Sequence, residues 1–346
     1  MASYAAEVLR KLLDAGEWSE RLPGERPLAE RIGVSRPTLH RALRLLEREG
    51  RVAWRRNAPW AIIGKGTPVS NSRRIIFLSP FKLEELDAFS LHQYALLSRY
   101  VGERGYTLEI ATLPSVVDGG SHKSLEALHR QLNPSCYLLL RCSTQTQTWF
   151  SSHRIPVVVM GSAPHNLPLR SVDVDYRAVG RHAISTLRRL GHQGNKVLYL
   201  GPEERLIGNV EAEAGLLEGA EGRQQPTLGH LPTKTEDIPD ALDAQLSKQA
   251  YTALIVMRPA QAITIMGHLA RKGIKIPQDL SLLILDENTG LQHMLPRPAR
   301  YAKNVTRFST LLRRAVDATL EDSGQTRAES RIVPELIAGD TLGGPK

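Results

Sequence analysis

Apolar positions change their spacing partway along this 346-residue chain. Through about residue 50 they recur at intervals of three and four. Val8, Leu9, Leu12 and Leu13 do so in "YAAEVLRKLLDAGEW", and Leu28, Ala29 and Ile32 in "LPGERPLAERIGV". Leu39, Ala42, Leu43 and Leu46 repeat the spacing in "SRPTLHRALRLLEREG". That period predicts three helices, each with one buried stripe. Gly16, Gly33 and Gly50 follow them, and a glycine just past a helix takes the left-handed conformation that ends it. Ser35 is placed as an N-cap, and Pro37 fits the first turn, where backbone N–H groups have no intrahelical partner. Two helices joined by a tight turn at Gly33 make a helix-turn-helix. "RVAWRRNAPWAII" then predicts two short strands about a turn at Asn57-Ala58-Pro59, the wing of a winged helix.

"GKGTPVSNSRR", residues 64–74, has no period and reads as a linker. Beyond it, short continuous apolar strands alternate with amphipathic helices. "RIIFLSP", "TLEIATL", "CYLLLR", "IPVVVMG", "SVDVD", "KVLYLG", "TALIVM" and "LSLLILDEN" are the strands. Strands apolar along their whole length belong to parallel sheets covered by helices on both faces. The fold class is therefore α/β: an N-terminal winged helix-turn-helix (1–64), a linker (65–74) and a two-lobed, doubly wound body (75–346). Ligands in such bodies bind beyond the carboxyl ends of the strands. Asp175 closes "SVDVD", Arg258 follows "LIVM" and Asp286 follows "LLIL". Three charged groups at three strand ends predict a shared crevice.

Composition narrows the class. Apolar residues make up 41% and charged residues 23%, ordinary for a globular chain with real cores. No apolar run approaches the roughly eighteen residues that span a bilayer, and the N-terminus has no signal-peptide pattern. Two cysteines, Cys136 and Cys142, sit in apolar context, which fits buried thiols in a reducing cytoplasm. The eleven histidines do not pair at metal spacing, and no cofactor motif or nucleophile elbow is found. An enzyme is not expected.

Charge changes the picture more. Residues 1–74 hold fifteen Lys/Arg against eight Asp/Glu, most of the net +9 of the chain. A basic module on a nearly neutral body predicts a polyanion partner for the module alone. With the stripe of the third helix buried, Arg36, His40, Arg41, Arg44 and Arg48 cannot all point inward. Its N-terminus, with Ser35, Arg36 and Thr38, would enter a DNA major groove first. There arginine pairs with guanine, while hydroxyls and free N–H groups hold phosphates.

"LPGERPLAERIGVSRPTLHRALRLLEREGRV" resembles the DNA-binding domain of the GntR family of bacterial repressors, over about residues 3–64. The resemblance implies a phosphate contact for Arg26 and recognition-helix contacts for Ser35, Arg36 and Thr38. His40 stands where that family has arginine. At the wing tip Arg56 and Asn57, with Ala58 and Pro59, replace a glycine-containing turn. The expected DNA-binding set is Arg26, Ser35, Arg36, Thr38, His40, Arg41, Arg44, Arg56 and Asn57.

Residues 75–342 resemble the effector-binding half of LacI/GalR-type regulators, which are related to periplasmic sugar-binding proteins. The similarity is strongest in "VDVDYRAVGRHAISTLRRLGHQGNKVLYLGPE", "ALIVMRPAQAITIMGHLARKGIKIPQDLSLLILDEN" and "RFSTLLRRAVDATLE". It implies pocket residues Ser79, Phe81, Asp175 and Asp286. Ala212 and Leu216 stand where the family has an arginine that grips sugar hydroxyls, and Arg258-Pro259 replaces a polar pair. Arg258 thus joins the expected effector-binding set, and an acidic sugar derivative is one expectation. Together these readings predict a cytoplasmic repressor. It would be a homodimer on a palindromic double-stranded operator, responsive to a small carbohydrate-like metabolite. Two alternatives stay open: a ligand-independent dimeric regulator with a vestigial pocket, and a regulator fused to a pyridoxal-phosphate enzyme-like domain.

Overall fold

The computed structural model describes residues 2–14, 17–18, 21–49, 51–54, 60–62, 72–119, 121–220, 224–321 and 326–345. The first unit contains α1 (Ala2–Asp14), α2 (Glu25–Ile32), α3 (Arg36–Arg48) and the antiparallel pair β1 (Val52–Ala53) and β2 (Ala61–Ile62). Its core is built from the expected stripes. Leu39, Ala42, Leu43 and Leu46 of α3 have no exposed surface and meet Leu28 and Ala29 of α2. In α1 the buried face is Ala5, Ala6, Leu9 and Leu13, so Val8 and Leu12 are only half-buried. Gly33 takes φ +70° between α2 and α3, and its amide bonds back to the end of α2. The wing's two strands are in place; its tip, with Arg56 and Asn57, lies outside the described residues, as does most of the linker.

The body begins with β3 (Arg74–Ser79), α4 (Ala88–Gly102), β4 (Thr107–Thr112), α5 (His122–Leu132) and β5 (Cys136–Leu140). It continues through α6 (Thr144–Ser152), β6 (Val157–Met160), β7 (Arg170–Val174) and α7 (Tyr176–Arg189). Next come β8 (Val197–Pro202), α8 (Ile207–Gly219), β9 (Thr227–Leu231), α9 (Ile238–Leu246) and β10 (Ala253–Val256). The last elements are α10 (Pro259–Arg271), β11 (Ser281–Ile284), β12 (Ala299–Ala302), α11 (Val305–Glu321), β13 (Ala328–Ile332) and β14 (Glu335–Ile337).

Two six-stranded sheets result, in the orders β13-β7-β6-β5-β3-β4 and β14-β12-β11-β10-β8-β9. All pairings are parallel except β12 with β14. Because side chains alternate across a sheet, one continuous apolar strand feeds two cores. In β8, Val197 and Tyr199 face α7 and α8, while Leu198 and Leu200 face α9 and α10. Likewise Ile75 and Phe77 of β3 pack toward α4 and α11, and Ile76 and Leu78 toward α5 and α6. Both cysteines are buried in the first lobe, and burial pushes the Cys136 thiol up to about 12.

The chain crosses between lobes three times. β7 lies in the first sheet, but α7 packs against α8 of the second lobe. After β12 the chain returns, and α11 packs in the first lobe. β13 then completes the first sheet and β14 caps the second. The crossings therefore fall at Asp175, at Lys303-Asn304 and at residues 333–334.

Candidate functional site

Two places collect chemistry. The first is the N-terminal end of α3. Ser35, Arg36 and Pro37 are exposed there, as are Arg41 and Arg44 further along. Arg36 and Arg41 form no ion pair among the described residues, so their guanidinium groups remain available to a partner. Ser35 stands at the N-cap but does not cap with its side chain; its Oγ lies 2.8 Å from Thr38 Oγ1. The first-turn N–H groups of Arg36 and Thr38 thus have no cap from the Ser35 side chain, and such uncapped groups are where phosphates bind. Arg26, on the first turn of α2, is 81% exposed and 3.4 Å from Glu30.

His40 and Arg44 are placed differently from the expectation. His40 Nδ1 is 3.1 Å from Glu25 Oε1, which also accepts a 2.9 Å hydrogen bond from Trp60 Nε1. The imidazole meets the Trp60 ring edge-on at 6.0 Å. It ties α2, α3 and the wing together while its side chain stays 43% exposed. Burial opposes ionisation of Glu25, but the bonds from Trp60 and His40 prevail and hold its carboxyl below the usual range. Arg44 pairs with Glu47 at 2.6 Å and lies over the Trp54 and Trp60 rings, bracing the wing through cation–π contact. The side chain of Arg48 lies outside the described part of the structure.

The second place is the cleft between lobes, with about 920 Å³ of space including its open mouth. Parallel strands present their carboxyl ends along one edge of each sheet, and the lining comes from those edges. Arg258 and Asp286 each stand two residues past the paired strand positions Val256 and Ile284. Both line the cleft, as expected. Ser79, Phe81 and Asp175 do not. Ser79 Oγ accepts the amide of Phe81 at 3.0 Å and is wholly buried. Asp175 caps α7, accepting the Ala178 amide at 2.9 Å. In its place Asp173, two residues earlier on β7, and Tyr176, the next residue and the first of α7, line the cleft.

Long-range pairs organise the rest. Asp286 holds Lys303 Nζ at 2.8 Å and accepts from the Tyr176 hydroxyl at 3.3 Å. Burial alone would discharge Lys303, yet Asp286 outweighs it and raises its pKa. Asp173 accepts from Ser162 Oγ at 2.5 Å, and Arg331 donates to the same Ser162 at 2.7 Å. Burial dominates at Asp173 and raises its pKa. Gln147 donates to the carbonyls of Cys142 and Ser162, leaving its buried Oε1 with no partner among the described residues. Arg141, at the end of β5, reaches across from the first lobe to Glu204 of the second at 3.1 Å. Glu204 also takes Arg258 at 2.5 Å. Sequence reasoning named neither Arg141 nor Glu204, and no local motif marks them.

The absent arginine of α8 has a structural counterpart. Ala212 is fully buried where α8 crosses α7, its carbonyl oxygen 2.4 Å from where a Cβ on Gly180 would lie. A long side chain has no room there. Cations reach the cleft instead from β5, from the start of α10 and from the β12–α11 crossing.

Residues 2–62 match the family model described as bacterial regulatory proteins, gntR family. Residues 188–342 match the model of a periplasmic binding protein-like domain. No curated protein sequence matches the chain. Similar solved structures include a protein assigned as the transcriptional regulator LacI of Bacillus cereus subsp. cytotoxis NVH 391-98, with TM-score 0.69 and 16% identity over 80% of this chain and 100% of that one. A LacI family regulator from Enterococcus faecium with bound ribose gives 0.65 and 16%, over 79% and 100%. The transcriptional regulator CelR in complex with cellobiose gives 0.68 and 16%, over 93% and 100%. The chain thus joins a DNA-binding domain of the gntR family of bacterial regulatory proteins to a periplasmic binding protein-like domain of LacI-type fold.

Proposed function

We propose that this protein is a cytoplasmic, non-enzymatic transcriptional repressor that binds a DNA operator through residues 1–64. The body, residues 75–346, would sense a small carbohydrate-like effector, with residues 65–74 as the link. The observation that carries the DNA reading is the α3 N-terminus, where uncapped N–H groups, Ser35, Arg36 and Thr38 meet exposed Arg41 and Arg26. Such an end fits a major groove. His40 and Arg44 serve this surface indirectly, by fixing the wing against α3.

The effector reading is supported by a polar cleft at strand carboxyl ends and by two neighbours of the same fold that carry sugars. Arg258 and Asp286 are its proposed contacts from the expected set, joined by Asp173, Gln147 and Tyr176. A homodimer on a two-fold operator follows from the short reach of one winged helix. Leu91 on α4 and Val305 at the start of α11 leave apolar surface exposed on the first lobe, where a second copy could pack.

The test is operator binding by fluorescence anisotropy, on a site selected from random DNA. Arg36→Ala should weaken binding by about 1–3 kcal/mol and relax one base position per half-site. Arg26→Ala should weaken all sequences evenly. Unchanged affinity in Arg36→Ala would overturn the assignment of α3 as the recognition helix.

A further inference from the structure

We propose that the effector carries an anionic group, a carboxylate or a phosphate, which Arg141 and Arg258 grip from opposite lobes after displacing Glu204. The inference rests on the cleft being the effector site, and adds the chemistry of what enters it.

Arg141 follows β5 of the first lobe and Arg258 follows β10 of the second, yet both converge on one oxygen, Glu204 Oε2. One carboxylate oxygen then serves two guanidinium groups, with Asp87 the next anion acting on Arg141. Burial, then repulsion from Arg258, lowers its pKa to about 10, so it remains charged at neutral pH. Arg258 Nε is buried and has no hydrogen-bond partner among the described residues. A guanidinium has five donors in a planar fork suited to a two-oxygen anion, and the fork of Arg258 is only partly used.

The backbone supports the same conclusion. Arg141 sits at φ +51°, the left-handed region that a bulky residue enters only at a cost and that is found where a side chain must be aimed. It delivers the guanidinium into the cleft and over the Phe81 ring at 5.1 Å. Phe81, expected to touch ligand, supports a group that does. Glu204, by contrast, lies between β8 and α8, outside both elements. Its carboxylate can swing away without breaking a strand pairing. It therefore behaves as an internal stand-in for the anion of a ligand.

The remaining lining offers Asp286, Asp173 and the free Oε1 of Gln147 as acceptors for hydroxyl groups. An anionic polyol satisfies both sets; a neutral sugar leaves Glu204 in place. A ligand anion held by both lobes also favours whichever lobe arrangement brings Arg141 and Arg258 together.

The experiment uses the full-length protein with inorganic phosphate, D-gluconate, D-glucose 6-phosphate, D-glucose and D-ribose. Chloride at matched ionic strength is the control, and thermal shift and calorimetry are the readouts. Glu204→Gln should bind phosphate and the anionic sugars about tenfold more tightly than wild type. Its response to neutral sugars should stay within about twofold of wild type. Adding Arg258→Ala to that variant should abolish the gain, with far-ultraviolet circular dichroism confirming that each variant is folded. A Glu204→Gln protein with no gain for phosphate over chloride overturns the inference, as does a gain that survives Arg258→Ala. If neutral sugars stabilise wild type and lose that effect in Asp286→Asn while no anion does so, the cleft reading stands and the anion inference falls. If no compound acts on any variant, both fall together.

Discussion

Replacing Gly215 by alanine separates close helix packing from mere helix propensity. A Cβ at Gly215 would lie 2.1 Å from the carbonyl oxygen of Arg177 and 2.8 Å from its carbonyl carbon. Both are backbone atoms of α7, so no rotamer change relieves the contact. To restore even a tight 3.4 Å contact, α7 and α8 must part by about 1.3 Å. Val179, Ala183, Ile184, Leu187, Ala212 and Leu216, all buried in the same core, then lose their fit. Overpacking of this kind costs about 3 kcal/mol, or about 5 °C in Tm for a body of this size.

Gly267 is the control. It sits in α10, and a Cβ added there would meet nothing within 4 Å, so alanine should add about 0.5–1 kcal/mol by helix propensity alone. Differential scanning calorimetry of the full chain reads both. Gly180→Ala should resemble Gly215→Ala, because its Cβ would meet the Ala212 carbonyl oxygen at 2.4 Å. The pair should be less than additive, since each relieves the other's obstruction. A Gly215→Ala protein that melts within a degree of wild type would refute the close crossing, and with it the account of why α8 carries no arginine into the cleft.

Two further outcomes test the charge network. The folded Glu25 carboxyl lies below its unfolded value, so its contribution is present above the unfolded pKa and lost as pH falls through the folded one. Winged-helix stability, followed by tryptophan fluorescence, should therefore drop on acidification below about pH 5, and Glu25→Gln should flatten that dependence; an unchanged acid profile would dismiss the Glu25–His40–Trp60 cluster as a stabilising unit. Lys303→Met leaves Asp286, among the described residues, beside only the Tyr176 hydroxyl and a backbone amide, so urea denaturation should show a loss of about 3–5 kcal/mol, largely recovered by adding Asp286→Asn. A double variant no better than Lys303→Met would locate the loss elsewhere.

Much of the fold was legible because its signals are local. The Leu39-Ala42-Leu43-Leu46 stripe, the left-handed Gly33 and the run of continuous apolar strands each occupy a few consecutive residues, and each forms the element its period predicts. What stayed hidden depends on where the chain goes afterwards. β13 and β14 come from one stretch, "RAESRIVPELIAG", which is absent from the apolar strands the sequence marks, yet they close different sheets. Nothing within that stretch states which lobe each strand joins; the sheets decide by offering an open edge.

The candidate sites divide along the same line. On α3 the exposed basic residues follow from helical geometry once the buried stripe is known, so Arg36 and Arg41 fall where expected. His40 and Arg44 share that geometry but also contact Glu25, Trp54 and Trp60, partners from α2 and the wing. A helical wheel cannot see a tryptophan some twenty residues away. In the cleft the rule that ligands gather at strand ends selects Arg258 and Asp286, but it counts Asp175 equally, although that carboxylate is already spent as a helix cap. Arg141 and Glu204 are 63 residues apart, and Glu204 and Arg258 are 54 apart. Their meaning arises only when two lobes face each other. Because Glu204 belongs to one lobe and Arg141 to the other, the residues that choose the ligand are also the residues that register the spacing of the lobes. On the inference drawn above, recognition and conformational response would be carried by one three-residue contact.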